Sequence, residues 1–318
     1  MTEAATIDIW LVIAVFVKAM TYAGGLVAAG GVLFAAIFKE APTSHGPALR
    51  RLILTSVVAA AVATVFQVNI KAAMLAGDAS GLADWFLIQM ILGSPEGLSV
   101  VVRLSGLLLT LAIFTTNSRS VWIALVGAVL IWVSFGLVGH TPERGVIVSA
   151  ILIVHLAAIS YWIGALYPLL QLTACGDANL VSHILKKFGD LAALIVATLI
   201  IAGATLAWTL IGSFAAVFET GYGRTLLLKI VLVAALLLLA ALNKWRLVPA
   251  FAHEVSGAPI ALKRSIVAEC VVAAAILLTT AALTTVTGPP IQDLHSAKNP
   301  LTLDHSPDLS LRFLGSAS

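Results

Sequence analysis

Charge is what this chain has least of. Asp, Glu, Lys and Arg together make up 10% of its 318 residues, against about 25% in soluble domains. That scarcity excludes an ordinary soluble domain. Cysteine is rarer still: Cys175 and Cys270 are the two thiols, too few for a disulfide framework, and their placement argues against a single bridge. The formal net charge of +3 comes without a basic patch, which argues against a nucleic-acid partner. Neither a phosphate-binding loop nor a G-x-G-x-x-G turn is present, arguing against an ATP-driven pump. The sequence also lacks the internal repeat expected of many secondary transporters. Its first residues, MTEAATIDIW, have no positive n-region and no small-residue cleavage site, so they are expected to open an uncleaved first span.

What fills the chain is apolar. Hydrophobic residues reach 60% and the mean hydropathy is +1.06, in repeated runs of about 20 residues or more, as membrane-crossing helices require. The expected fold is all-α: a polytopic bundle of eight spans forming one domain over residues 1–290. The spans fall near 8–38, 48–76, 97–116, 120–139, 146–170, 187–212, 223–248 and 264–287. Between the second and third, DASGLADWFLIQMILGSPEG holds an apolar piece too short to cross, so an interfacial or re-entrant segment is expected. Residues 291–318 are polar and read as a tail. The odd-numbered loops carry Lys39, Arg50, Arg51, Arg119, Lys186, Lys187, Lys244, Arg246, Lys263 and Arg264, and the even-numbered loops only Arg144 and Arg224. This bias puts the odd loops in the cytoplasm and both termini outside. On the first span, Gly24, Ala28, Gly31 and Ala35 form a small-residue stripe that lets neighbouring backbones approach.

The stretch HTPERGVIVSAILIVHLAAISYWIGALYP, residues 140–168, holds two histidines. Imidazole in an apolar span is costly without a partner and marks a path or a site; it is also the commonest side-chain metal ligand. His155 lies 13 residues beyond Pro142, about 20 Å deeper at a rise of 1.5 Å per residue. Ligands of one ion converge far more closely, given metal–nitrogen bonds near 2.0 Å, so His140 is expected at an outer site and His155 at an inner one. The plainer roles are a helix C-terminal cap for His140 and an interhelical hydrogen bond for His155. Trp162 follows His155 by seven residues and shares its face. Methionine sulfur selects Cu(I): Met74 and Met90 are expected near the level of His140, with Met20 deeper, although each has ordinary packing as its alternative. Cys270 lies in the inner part of span eight beside Glu269, and Cys175 in a cytoplasmic loop; either thiolate would receive Cu(I). Cys270 also serves simply as a small buried hydrophobe. His45, His183 and His253 fall in cytoplasmic loops and need no special role.

Lys18, Lys71, Arg103, Lys229 and Glu269 fall within spans, and Thr64, Gln67 and Lys71 make a polar face on span two with Asn69 close by. Such groups are expected to point inward or to snorkel. Lys71 and Lys229 lie near outer ends, and the deeper Lys18 is expected to be paired. The cationic excess is awkward for a cation path unless these residues form ion pairs or bind headgroups.

The elements H-x6-W-x-G (from His155), Y-G-R-x-L-L-x-K (from Tyr222), L-N-K-x-R (from Leu242) and R-S-x-x-x-E (from Arg264) follow in order over residues 140–290. In these pieces the chain resembles the CopD family of bacterial copper-resistance and copper-uptake membrane proteins; residues before 140 match in hydropathy more than in detail. The resemblance implies an eight-helix inner-membrane protein that handles copper, often alongside a periplasmic CopC-like copper-binding protein. His155, Trp162, Gly164, Tyr222, Gly223, Arg224, Lys229, Asn243 and Glu269 occupy the motif positions, and among them only His155 is a natural copper ligand. The leading expectation is copper transport or homeostasis, from periplasm to cytoplasm: capture near His140, Met74 and Met90, passage by His155, exit near Cys270, and no enzymatic step. One rival is a b-type haem protein, whether electron carrier or haem-precursor oxidase, with His155 as axial ligand, either five-coordinate or with Met20 as the second ligand. Another is a copper sensor or scaffold that does not transport.

Overall fold

A computed structural model describes residues 9–39, 41–115, 119–138, 145–173, 178–211, 220–253 and 255–286, and among these every regular element is helical. In chain order they are α1 (Ile9–Ile37), α2 (Ala41–Ala76), a 3₁₀ turn (Ala79–Ala83), α3 (Trp85–Leu92) and α4 (Pro95–Thr110), which runs on into a 3₁₀ turn (Leu111–Phe114). There follow α5 (Ser120–Gly136), α6 (Val146–Leu172), α7 (Ala178–Ile211) and α8 (Gly221–Leu242). A π-helical turn (Asn243–Leu247) leads to the short α9 (Val248–Ala252), and α10 (Ala258–Thr285) completes the series. Seven helical stretches are long and apolar enough to cross a membrane, making this an all-α polytopic membrane protein. The remaining apolar helix, α5, has 17 residues, about 25 Å at 1.5 Å per residue, the lower limit for a span. Helices α2 and α7 start seven and nine residues ahead of the apolar runs at 48 and 187, because a helix need not stop where the hydrocarbon does.

Helix α1 is the hub, packed against α2, α5, α6 and α10. Its small residues make this possible on three sides. A Cβ on Gly24 would lie 2.8 Å from the Ser56 carbonyl oxygen and 2.9 Å from Ala60 on α2. On Gly25 it would meet Ile131 and Phe135 of α5, and on Gly30 it would run into the backbone of Ser160 and Gly164 on α6. Ala28, Ala29 and Val32 are fully buried. The stripe foreseen on this helix thus faces α2 through Gly24 and Gly31, while the adjacent glycines serve the other neighbours.

The short segment between α2 and α4 is built by its caps. The Asp78 carboxylate accepts from the Ser80 amide, Asp84 from the amides of Phe86 and Leu87, and Ser94 from that of Glu96, satisfying donors that helix starts leave free. These bonds to Ser80 hold the Asp78 carboxyl below its ordinary range. The eight residues of α3 reach only about 12 Å. Ile91 packs with Val68 and Ala72 of α2, leaving Trp85, Phe86 and Met90 exposed, the disposition of an interfacial helix.

Candidate functional site

The chemistry of the second half gathers at two levels along α6. The upper level is His155, nine residues into that helix. Its ring lies against Gly203 of α7, where a Cβ would come within 3.3 Å of the imidazole Cε1. Glycine there leaves room for the ring. The Leu199 carbonyl, one turn earlier on α7, and Lys229 of α8 are the other groups acting on the imidazole. Nδ1 of His155 is buried without a well-formed hydrogen bond, the Leu199 carbonyl being only a loose acceptor for the ring. Lys229 likewise has no hydrogen bond or ion pair among the described residues. Two residues 74 apart in sequence, each ending a motif or starting one, thus meet at one level.

Seven residues on, about 10 Å further along α6, Trp162 marks the second level. Its indole lies beside the carboxyl of Glu269 on α10. The amide Nδ2 of Asn243 donates to Glu269 Oε1 at 2.6 Å, and Glu269 is 4% exposed. Asn243 opens the π turn, a local widening of the helix that recurs at functional sites. Around this trio the wall is aromatic. Phe188 meets Trp162 edge-on at 6.2 Å and stacks with Tyr161 at 5.2 Å; the Tyr161 hydroxyl donates to the Phe188 carbonyl at 3.3 Å. Lys244, next to Asn243, donates to the Gly189 carbonyl at 2.7 Å. Asn243 Oδ1 and Ser265 Oγ, one turn before Glu269, are buried and unpaired, and the buried Trp162 Nε1 makes only a loose hydrogen bond to the Glu269 carboxyl. No cation pairs with Glu269 among the described residues, where Lys71–Glu96 is the ion pair present. The arrangement is a buried polar cluster with spare hydrogen-bonding capacity.

The other expected residues are dispersed. Met20, Met74 and Met90 lie on outward, substantially exposed faces. Cys270 is partly buried at the rim of the main apolar cluster and is a free thiol. His140 and Cys175 lie outside the described residues. Among the described residues no three His, Cys, Asp or Glu side chains converge to hold a metal. The cations find partners that sequence alone does not display. Lys18 donates to the Thr284 carbonyl at 2.9 Å, capping the C-terminal end of α10, where positive charge is favoured. Lys71 pairs with Glu96, and Lys187 donates to the Ile37 carbonyl at 3.1 Å beside the Phe38 ring. Gly203, Leu199, Ser265 and Glu96 were missed as site neighbours; the carboxylate of Glu96, at the mouth of a span, was the one with a readable signal.

The fold and these levels define a helical membrane protein with a buried histidine and a buried carboxyl at two levels among α6, α7, α8 and α10. Residues 6–147 match the model of the copper resistance protein D-like N-terminal domain, and residues 182–283 match that of copper resistance protein D. The chain belongs to the copper resistance protein D family. No curated protein and no solved structure matches it. Membership makes it a protein of copper resistance and homeostasis.

Proposed function

We propose that the protein carries copper across the bacterial inner membrane, from periplasm to cytoplasm, by way of the C-terminal helices. The observation that carries this reading is the buried Nδ1 of His155, which has no well-formed hydrogen bond. A buried imidazole nitrogen without a hydrogen bond costs stability, and a passing soft cation would satisfy it. Lysine and arginine sort to the odd-numbered loops, which supports a cytoplasmic position for them. His155 then stands in the outer half of the membrane and the Trp162–Asn243–Glu269 cluster in the inner half. Eight crossings follow if α5 is counted with the seven longer helices. On the outer side, His140, Met74 and Met90 are the proposed capture residues, with a CopC-like periplasmic protein as donor; Cys270 beside Glu269 is the proposed point of departure.

The test is copper accumulation in cells producing wild type or His155→Ala at matched expression. The variant is expected to accumulate markedly less copper, and equal accumulation would remove His155 from the route. A visible spectrum of the purified protein checks the ligand class, because a Soret band would replace copper by haem.

A further inference from the structure

Two polar stripes of identical spacing lie on neighbouring helices of the N-terminal half. On α2, Thr64, Gln67 and Lys71 stand at i, i+3 and i+7; on α4, Glu96, Ser99 and Arg103 repeat that interval. The helices pack together and the ion pair Lys71–Glu96 sets their antiparallel register. Thr64 on one helix and Arg103 on the other are each seven residues below that pair, so both lie about 10 Å deeper.

Arg103 is 4% exposed. Its Nε donates to Ser134 Oγ at 3.1 Å and its Nη2 to Ser99 Oγ at 3.0 Å, and its guanidinium lies 4.5 Å from the centre of the Phe135 ring. All three partners are neutral. The one carboxylate of the seam, Glu96, is already engaged by Lys71. Two cations therefore share one anion, and the deeper cation has no counter-charge in contact, an arrangement that is costly within a membrane. The α2 stripe offers unspent polar groups: the Thr64 hydroxyl, on a side chain with no exposure, and the Gln67 amide oxygen are both buried without partners. A half-turn of the Gln67 amide would present its NH₂ instead.

We propose that this seam binds a small monovalent inorganic anion of the halide class at Arg103, with the Thr64 hydroxyl as a further donor. The net excess is one positive charge, so a single negative charge balances it. The outer end of the seam is the partly exposed Lys71–Glu96 pair, whose side chains are 44% and 35% accessible, and the anion enters past it. This inference does not depend on the copper route.

The experiment is thermal unfolding of the purified full-length protein in sodium chloride, sodium bromide or sodium gluconate at equal ionic strength. Halide is expected to raise the midpoint of wild type by roughly 5 °C over gluconate. Arg103→Gln is expected to abolish the difference. Ser99→Asp, which tethers a carboxylate one turn from Arg103, is expected to fold and to respond no longer. Equal midpoints in halide and gluconate for wild type, or a response retained by Arg103→Gln, would overturn the proposal. Should the variants fail to fold, bromide-soaked crystals of wild type decide: anomalous density at Arg103 supports the site, and water there overturns it.

Discussion

In the N-terminal half backbone meets backbone, whereas in the C-terminal half side chains meet across gaps left for them. Helices α1, α2, α4 and α5 touch through Gly24 against Ser56 and Ala60, Gly25 against Ile131 and Phe135, and Gly106 against Gly127. Ala28, Ala29, Ala60, Ala124, Ala128 and Ile131 are fully buried there. By contrast α8 buries only Tyr222, Gly223 and Leu226, and α7 gives Gly203 to an imidazole rather than to another backbone. Small residues thus do two jobs. Around α1 they supply contact, which drives helix association where lipid leaves no hydrophobic force between helices; beside His155 one supplies space. The first region is a scaffold and the second is where a cargo would be met.

Substitutions that separate stability from copper handling break or sharpen this contrast. The largest effect is expected at the junction of α1 and α6. Gly164→Leu drives a side chain into the backbone of Gly30 and Gly31, costing about 3 kcal/mol or more, and size-exclusion of the solubilised protein is expected to show aggregate in place of a monodisperse peak. Next comes Asn243→Ala, which strips the Glu269 carboxyl of its 2.6 Å donor. Leaving that buried group with only its loose contact to Trp162 costs about 1–3 kcal/mol, read as a lowered unfolding midpoint. Gly203→Ala presses a methyl to 3.3 Å from the His155 ring; the helix-propensity gain of about 1 kcal/mol offsets that crowding, so stability is expected to hold while copper accumulation clearly falls. Should Gly203→Ala lose stability and retain copper, the region would be scaffold after all. The smallest effect is Lys71→Ala, because a pair exposed to 44% and 35% contributes under about 1 kcal/mol.

Much of this was legible in the sequence, for a reason that also marks the limit. Hydropathy reports depth, so the apolar runs located the long helices and placed His155 and Trp162 at different levels of one. Depth does not report rotation. That Asn243 turns toward Glu269, 26 residues away, depends on the π turn, which no periodicity at 3.6 residues announces. The puzzle of excess cations had the same origin. Lys18, Lys187 and Lys244 are met by the carbonyls of Thr284, Ile37 and Gly189, and backbone acceptors are invisible to a search for acidic partners. Glu96 stood in plain view but next to a proline-opened helix start, where a carboxylate has the helix dipole as sufficient reason to be.

The central claim is that His155 gives a buried ring nitrogen to copper. X-ray absorption at the copper edge, on wild type and His155→Ala loaded to the same stoichiometry, tests it most directly. Imidazole scattering is expected in wild type and should be lost in the variant, along with at least about tenfold in affinity. Identical spectra and affinities for the two proteins would contradict the account.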